Sequence, residues 1–333
     1  MTKLKGILSA GFCLGLFFLT ACDAAPARPP IAASPAGSVS HPTEGAALKT
    51  FYIVGYFTDW EDSLDAAPFD ELTHINYAFL LPNTDGSLDP IRNEMKLKTL
   101  VTRAHAARVK VLISIGGWGL DSKFEALASE AASRARFVDA AADFMDAHQL
   151  DGIDIDWEYP DAGSSSEHFA ALMDALSGRL RPRGKLLTAA AAALGRNADG
   201  VSARVFDDVD FLNLMVYDGE NGPGHSPYQF ALDSLAYWSA RGLPPEKTVL
   251  GVPFYSRPGE IPYRDLVMAD GAAAQQDQIS YDGQPQYFNG IPTIVKKTEL
   301  AMAEAAGIMF WTIGDDSMGE TSLIRAIYAT VHK

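Results

Sequence analysis

The chain is poor in cysteine. Only Cys13 and Cys22 occur among its 333 residues, and both lie close to the N-terminus. If the chain is cleaved before Cys22 and that thiol is modified, no thiol remains to form a disulfide, hold a metal or act as a nucleophile. We therefore expect the folded part of the protein to be stabilised by packing alone.

Positive charge is also scarce. The chain has 27 Lys and Arg against 42 Asp and Glu, which gives a formal net charge of −15 and a sequence pI near 4.8. An acidic surface repels nucleic acid and anionic lipid, so neither is expected to be a partner of the folded domain. The seven His residues show no metal-ligand spacing. The sequence thus predicts a monomer that needs no metal and no cofactor.

The apolar run at the N-terminus is too short to span a membrane. It extends from Ile7 to Leu19 after two lysines, as in a targeting segment, whereas a spanning helix needs ~20 apolar residues. The run ends in Leu19-Thr20-Ala21-Cys22, which resembles a bacterial lipobox, where cleavage precedes the Cys and its thiol receives diacylglycerol. We predict a signal peptide over residues 1–21 and an exported lipoprotein, anchored through Cys22 on the periplasmic face or the cell surface. An ordinary secretory signal that ends near Ala24 or Ala25 is the alternative.

The next stretch, residues 22–49, has a composition that cannot bury much apolar area. It combines Ala, Ser and Gly with prolines at positions 26, 29, 30, 35 and 42. Such a segment is typical of an extended linker. We interpret it as a flexible tether, so that the folded domain covers residues 50–333.

From residue 50 onward, short apolar runs alternate with amphipathic segments such as Ser133–His148 and His168–Leu180. Each run is nearly continuous in hydrophobicity, as expected of a strand buried on both faces. Eight such units predict a (β/α)8 TIM barrel. A doubly wound open sheet is the alternative, but no Gly-x-Gly-x-x-Gly turn follows the first run. The eight predicted strands are Phe51–Tyr56, Ile75–Leu80, Val109–Ile115, Gly152–Trp157, Leu186–Ala191, Phe211–Tyr217, Thr248–Phe254 and Gly307–Thr312.

The fourth predicted strand is acidic on one face. Because side chains alternate along a strand, Asp154, Asp156 and Glu158 point into the barrel while the apolar residues between them face the helices. Mutual repulsion and desolvation raise the pKa values of such carboxyls, so at least one should hold a proton near neutral pH. A protonated carboxyl at the mouth suits general-acid cleavage of a glycosidic bond. An acidic edge strand and a cation site are the alternatives.

These residues resemble the signature of glycoside hydrolase family 18, the chitinase family. Asp151 to Glu158 is similar to its Asp-x-x-Asp-x-Asp-x-Glu motif and is followed by Tyr159-Pro160. Segments similar to those of the family's other strands occur in the same order. They are Ile53-Val54-Gly55-Tyr56, His74-Ile75-Asn76-Tyr77-Ala78-Phe79, Ser114-Ile115-Gly116-Gly117, Met215-Val216-Tyr217-Asp218, Gly251-Val252-Pro253-Phe254-Tyr255 and Met309-Phe310-Trp311.

The resemblance implies a substrate-assisted, retaining mechanism. Glu158 would protonate the glycosidic oxygen while the substrate's acetamide carbonyl attacks the anomeric carbon, which gives an oxazolinium intermediate. Asp156 would accept a hydrogen bond from the acetamide N–H and stabilise the positive charge that develops there. Asp154 would share a proton with Asp156. Tyr217 would orient the acetamide oxygen.

The resemblance also implies a set of supporting residues. Tyr56 and Ser114 would hydrogen-bond Asp154. The sugar in the −1 subsite would be bordered by Met215, Tyr159 and Asp218, with Trp311 as its apolar floor, and Trp118 would form a platform in the +1 subsite. We interpret Trp60, Trp157 and Trp238 as packing residues, and Asp151 and His74 as structural residues at strand ends.

The resemblance implies an enzyme that cleaves β-1,4-linked N-acetylglucosamine polymers, either chitin or chitooligosaccharides, and we expect it to be endo-acting. Some family members carry an α+β insertion after the seventh strand, but the segment from Tyr255 to about Gly307 is too short for a sizeable one. We therefore expect a shallow groove open at both ends, which favours internal cleavage. The alternatives are an endo-β-N-acetylglucosaminidase acting on N-glycan or cell-wall glycan, and a non-catalytic chitinase-like lectin.

Overall fold

Eight parallel strands close into a barrel with helices between them. A computed structural model describes residues 51–60, 62–65 and 67–333 of the chain. The predicted TIM barrel is confirmed, and each predicted strand end lies within two residues of the observed one. The barrel strands are β1 (Tyr52–Thr58), β2 (His74–Leu80), β3 (Lys110–Gly116), β4 (Gly152–Asp156), β5 (Leu186–Ala192), β6 (Phe211–Met215), β7 (Thr248–Pro253) and β10 (Gly307–Trp311), and β1 pairs with both β2 and β10.

The helices cover the outside of the barrel. In the fourth of them, Phe169, Leu172, Met173 and Leu176 recur at spacings of three and four residues and are all buried, which identifies the face that packs on the strands. The α-helices are α1 (Glu94–Ala106), α2 (Asp121–Ser129), α3 (Ala131–Ala147), α4 (Ser164–Leu180), α5 (Tyr228–Ala240), α6 (Tyr263–Ala269), α7 (Ile291–Glu304) and α8 (Leu323–Val331).

The alternation predicted for β4 places its apolar side chains between the strands and the helices. Trp157, directly after β4, is 2% exposed, stacks on Phe124 at 5.2 Å and meets Phe169 edge-on at 5.7 Å. Its Nε1 donates a hydrogen bond to the Asp121 carboxylate at 2.7 Å. Because this ring is held on the outside of the barrel, the acidic side chains on either side of it point inward.

The segment between β7 and β10 contains no sizeable α+β domain, as predicted. It contains α6, a two-stranded hairpin and α7, and the hairpin is formed by β8 (Gln278–Tyr281) and β9 (Gln284–Tyr287). Its turn is Asp282-Gly283, and both residues have positive φ, 50° and 75°. That conformation is typical of a type I′ hairpin turn, for which Asp-Gly is a strong sequence signal. The sequence analysis did not predict this hairpin, although Asp282-Gly283 is a local signal for it.

Several predictions concern residues that lie outside the described part of the chain. These are the signal peptide over residues 1–21, the lipidation of Cys22 and the tether over residues 22–49. Across the described residues, no helix is both long enough and apolar enough to cross a membrane.

Gly116 lies at the end of β3, where the backbone of β3 comes very close to that of Asp156 at the end of β4. Its φ is +129°, and a Cβ atom there would lie 2.0 Å from the carbonyl oxygen of Asp156. The next residue, Gly117, donates its N–H to the same carbonyl at 2.8 Å. The two glycines therefore allow the backbone of β3 to fix the position of Asp156.

We predict that Gly116→Ala lowers the free energy of unfolding by about 3 kcal/mol. About 1 kcal/mol of this loss comes from the left-handed backbone, and the rest comes from the clash with the Asp156 carbonyl. The matched control is Gly119→Ala, since Gly119 has φ +85° but nothing within 4 Å of the added Cβ. It should cost about 1 kcal/mol. Chemical denaturation of both variants checks this, and equal losses would show that the contact with Asp156 is unimportant.

Candidate active site

The predicted site residues meet at the C-terminal end of the barrel, around an open cleft of about 1020 Å³. This is the end at which TIM barrels carry their functional residues. Every site residue named from the sequence lines the cleft except Asp154 and Ser114, which lie beneath its floor, and Cys22, which lies outside the described residues. The predicted residues along the cleft are Tyr56, Trp118, Asp156, Glu158, Tyr159, Met215, Tyr217, Asp218 and Trp311.

Asp154 lies fully buried at the centre of the barrel. Its Oδ2 accepts hydrogen bonds from the Tyr56 hydroxyl at 2.7 Å and the Ser114 hydroxyl at 2.8 Å, which are the two partners expected from the sequence. Its Oδ1 accepts two more, from Thr188 at 2.5 Å and from Asn213 at 3.3 Å. These four hydrogen bonds come from neutral side chains, and the expected sharing of a proton between Asp154 and Asp156 stays a prediction.

Asp156 and Glu158 form an electrostatically strained pair above it. Asp156 is 3% exposed, and burial, together with the charges of Glu158 and Asp154, raises its pKa well above the usual value. Burial also raises the pKa of Glu158, as does the charge of Asp218, while a hydrogen bond from the Tyr159 hydroxyl acts in the opposite direction. The pair therefore retains a proton at higher pH than exposed carboxyls would.

Tyr217 contributes a hydroxyl that stays protonated. Burial raises its pKa well above the usual value, and the charges of Asp156 and Glu158 act in the same direction. Its ring meets Tyr255 edge-on at 6.2 Å, and both side chains line the cleft beside Met215. A neutral phenol in this position can donate a hydrogen bond to a group bound in the cleft.

Asp218 is held by a group of polar residues that the sequence did not reveal. Arg257 binds its two carboxylate oxygens through Nε at 2.7 Å and Nη2 at 2.8 Å, and the Tyr255 hydroxyl donates a further bond at 2.8 Å. His225 Nδ1 lies 3.0 Å from the carboxylate. Burial alone would raise the pKa of Asp218, but these partners outweigh it and hold the pKa well below its usual range. Asp218 is therefore a permanent anion on the wall of the cleft.

Behind this wall, a buried lysine anchors the loop that carries His225. The Lys297 ammonium group, on α7, is fully buried and donates to the carbonyl and hydroxyl of Ser226 and to Asn289 Oδ1, each at 2.7 Å. Ser226 in turn donates its hydroxyl to the carbonyl of Val216, next to Tyr217. Burial lowers the pKa of Lys297 to about 7. A lysine on an amphipathic helix is usually exposed, and the neighbouring sequence does not show that this one is buried. The contact could therefore not be predicted from the sequence alone.

Aromatic rings form much of the surface of the cleft. Trp311 is half-buried and packs against Tyr56 at 5.5 Å and Phe79 at 5.6 Å. Trp118 is 79% exposed, and its ring meets that of Tyr159 edge-on at 6.4 Å. The interpretation of Trp60 as a packing residue is wrong, because its ring is 45% exposed, lines the cleft and leans on Phe79 at 6.1 Å. Trp60 follows the C-terminal end of β1 by two residues, and residues in such positions of a TIM barrel often face the cleft. The sequence therefore did contain a signal for this position.

The remaining predicted structural residues do lie away from the cleft. Asp151 precedes β4 and accepts the Val111 backbone N–H at 2.8 Å, with His105 Nε2 at 2.9 Å. His74 is buried at the start of β2, where burial lowers its pKa to about 4. Within the described residues, no group of three or more His, Cys, Asp or Glu side chains is arranged to hold a metal ion.

Comparisons with known proteins agree with this geometry. Residues 52–316 match the family model described as "Glycosyl hydrolases family 18". A "Probable endochitinase" of Caenorhabditis elegans is 30% identical over 247 residues, which cover 61% of this chain and 40% of that protein. The chain spans less than two thirds of the length of this and the other curated relatives first matched.

Solved structures share the fold over most of the chain. The GH18 chitinase ChiB from the chitin utilization locus of Flavobacterium johnsoniae has a TM-score of 0.74 at 29% identity, with 85% of this chain and 94% of that chain covered. A chitinase from Bacteroides thetaiotaomicron has a TM-score of 0.75 at 24% identity, with 84% and 96% covered, and supports the fold alone.

The contact between Arg257 and Asp218 makes a prediction about pH. Because the pKa of Asp218 is depressed in the folded protein, its contribution to stability is present above the usual Asp value of about 4 and is lost as pH falls. Arg257→Gln should therefore lower the thermal midpoint at pH 6 to 7, and the difference from wild type should narrow below about pH 4.

The control is Arg196→Gln, since Arg196 lies 3.9 Å from Asp161 and its side chain is 88% exposed. Such a surface pair contributes little to stability. Thermal midpoints measured from pH 3 to pH 7 check the prediction. A deficit in Arg257→Gln that stays constant with pH would contradict it.

Proposed function

Since the chain belongs to family 18 of the glycosyl hydrolases, we propose that it cleaves β-1,4 bonds between N-acetylglucosamine units in chitin or chitooligosaccharides. The observation that carries the proposal is the arrangement of Asp154, Asp156 and Glu158 in a line from the barrel centre to the cleft, with Tyr217 beside them. Their environments differ in burial and in hydrogen bonding, so their proton affinities differ as well.

Glu158 is proposed as the general acid. Burial raises its pKa and so favours its protonated form, and it is the outermost carboxyl of the three. It donates this proton to the glycosidic oxygen as the bond to the anomeric carbon breaks. The carbonyl oxygen of the substrate's own acetamide group forms a bond to that carbon on the opposite face, and Asp156 stabilises the positive charge that develops on the acetamide nitrogen.

The second half of the reaction returns the site to its starting state. Glu158, now a carboxylate, removes a proton from a water molecule, whose oxygen attacks the anomeric carbon and opens the oxazolinium ring. Configuration is retained because two displacements occur at the same carbon. The neutral hydroxyl of Tyr217 hydrogen-bonds the acetamide oxygen and orients it for the first displacement.

The rest of the cleft binds the sugar chain. Trp311 supplies an apolar surface for the C–H face of the ring in the −1 subsite, and Met215, Tyr159 and Asp218 border that ring. The exposed indole of Trp118 forms a platform for the next sugar on the leaving-group side. Since the segment after β7 adds only α6 and a short hairpin, the groove accepts a chain that extends in both directions, which favours internal cleavage.

The test is a product analysis with N-acetylglucosamine hexamer, an N-glycan and peptidoglycan fragments. Wild type should convert the hexamer from the earliest times into a mixture of shorter oligomers. Glu158→Gln should lower kcat by about 10³-fold, because general-acid catalysis contributes on that scale. Glu167→Gln, at an exposed glutamate on α4, is the matched control and should keep full activity.

A fully deacetylated hexamer tests the mechanism separately. It has the same glycosidic bonds but no acetamide carbonyl, so wild type should leave it intact. Cleavage of this compound would refute substrate assistance. Release of sugar only from the N-glycan or from peptidoglycan would move the activity to another N-acetylglucosamine bond, and binding without any cleavage would identify a lectin.

We also propose that the protein is an exported lipoprotein held at the membrane through Cys22. The support is the Leu19-Thr20-Ala21-Cys22 quartet after a short apolar run. Cys22→Ser should release the protein from the membrane fraction of bacterial cells. Cys13→Ser is the matched control and should leave the distribution unchanged. Membrane association that persists in Cys22→Ser would contradict lipidation at that residue.

A further inference from the structure

Lys297 of α7 is a fully buried ammonium group whose hydrogen-bond partners are neutral. Its Nζ donates to the carbonyl and hydroxyl oxygens of Ser226 and to Asn289 Oδ1, each at 2.7 Å. An ammonium group has three donors, so each of them is used. The Asp277 carboxylate favours the charge of this group but forms its own hydrogen bonds with the start of α7. Because burying a charge on neutral partners is costly, packing alone does not explain a lysine at this position.

Ser226 connects this lysine to the backbone at the end of β6. Its side chain is buried, and its hydroxyl donates to the carbonyl of Val216, the residue before Tyr217. The Asn289 amide donates a further hydrogen bond to the Ser226 carbonyl at 2.9 Å. Two successive hydrogen bonds therefore lead from the ammonium group on α7 to the peptide group that joins Val216 to Tyr217.

The loop between Asp218 and Ser226 has an unusual backbone conformation at its start. Asp218 has a φ of +55°, in the left-handed region that residues other than glycine rarely adopt. Its N–H donates to His225 Nδ1 at 3.2 Å, and the N–H of Gly219 donates to the His225 carbonyl at 3.1 Å. Residues 218–221 are exposed and belong to no helix or strand. The conformation of Asp218 thus depends on contacts with the residue next to Ser226.

Tyr217 lies between these two attachment points. Its ring is partly buried and meets Tyr255 edge-on, while the backbone on either side is held through Ser226 and His225. A group that orients a reacting atom must be placed accurately, because an error of about 1 Å can cost about 10²-fold in rate. Neither Lys297 nor Ser226 lines the cleft, so both could influence a bound sugar only through this backbone.

We propose that Lys297 and Ser226 are positioning residues, which hold the segment Val216–Asp218 so that the Tyr217 phenol and the Asp218 carboxylate face the bound sugar. The effect on the reaction rests on the proposed function, whereas the effect on the segment does not. Loss of the ammonium group releases Ser226 from α7, and the segment then loses the support that fixes Tyr217.

The first test measures the segment itself by amide hydrogen exchange. In Lys297→Met, which keeps the length of the side chain, the amides of Asp218 and Gly219 should exchange about tenfold faster, while those of β4 keep their wild-type rates. The matched control is Lys296→Met, at the neighbouring lysine of α7, which is exposed. It should leave all of these rates unchanged. Wild-type exchange at Asp218 and Gly219 in Lys297→Met, or an equal increase throughout the barrel, would overturn the proposal.

The second test separates positioning from stability by kinetics on N-acetylglucosamine hexamer. Lys297→Met should lower kcat by about ten- to a hundredfold and change KM by less than about twofold, because the phenol acts on the reacting acetamide group. Ser226→Ala removes the contact with Val216 but keeps the other two partners of Lys297, so it should lower kcat by about tenfold. This smaller change serves as the second variant if Lys297→Met does not fold. A lower thermal midpoint with wild-type kcat in both variants would show a structural role only.

The third test asks whether Lys297 acts through Tyr217. In Tyr217→Phe, which lacks the hydroxyl that is to be positioned, adding Lys297→Met should lower kcat by less than about twofold further. Losses that simply multiply would overturn the proposed route through the phenol. If wild type cleaves none of the glycans, the proposed function fails, and the exchange of the Asp218 and Gly219 amides still decides whether Lys297 holds the segment.

Discussion

Three carboxyl groups stacked on one strand inside an apolar barrel are the constraint to which the rest of the site responds. The two-residue period of β4 forces Asp154, Asp156 and the following Glu158 to the same side, because Trp157 must fill the space between the strand and the helices. Burying charge without compensation is costly. In this barrel hydrogen-bond donors and bound protons compensate the charge, and no cation contacts the innermost acid within the described residues.

The compensation changes along the strand from the barrel centre to the cleft. Asp154 has four donors, and one oxygen of Asp156 has no hydrogen-bond partner within the described part of the chain. At the mouth, burial and the charge of Asp218 raise the pKa of Glu158. The three acids therefore differ in proton affinity although they belong to the same strand. Asp218, elsewhere on the wall of the cleft, is compensated by a cation instead. The Arg257 guanidinium binds its carboxylate and keeps it ionised. One cleft therefore contains the ionised Asp218, the neutral phenol of Tyr217, and a pair of acids whose pKa values are raised.

The barrel and the acidic strand could be predicted from the sequence, since both depend on the spacing of apolar and polar residues along the chain. Runs buried on two faces, and alternation within one of them, can be recognised without knowing what they pack against. The donors around Asp154 were only half identified, because Thr188 and Asn213 come from strands whose register against β4 has no local signature. Arg257, Lys297 and the exposure of Trp60 were missed for the same reason, whereas the Asp282-Gly283 turn was visible and was overlooked.

The lack of cysteine gives these buried polar contacts a further role. A catalytic cleft must hold its groups in place before the substrate arrives, and the barrel has no disulfide with which to brace its loops. The loop after β6 is instead joined to α7 by two hydrogen bonds from Lys297 to Ser226, and its His225 lies 3.0 Å from the Asp218 carboxylate. Removing the Lys297 ammonium group would leave the buried Asn289 Oδ1 without that donor, which costs more than the bond itself contributes. Buried hydrogen bonds therefore hold the acid, the phenol and the anion in fixed positions around the same cleft.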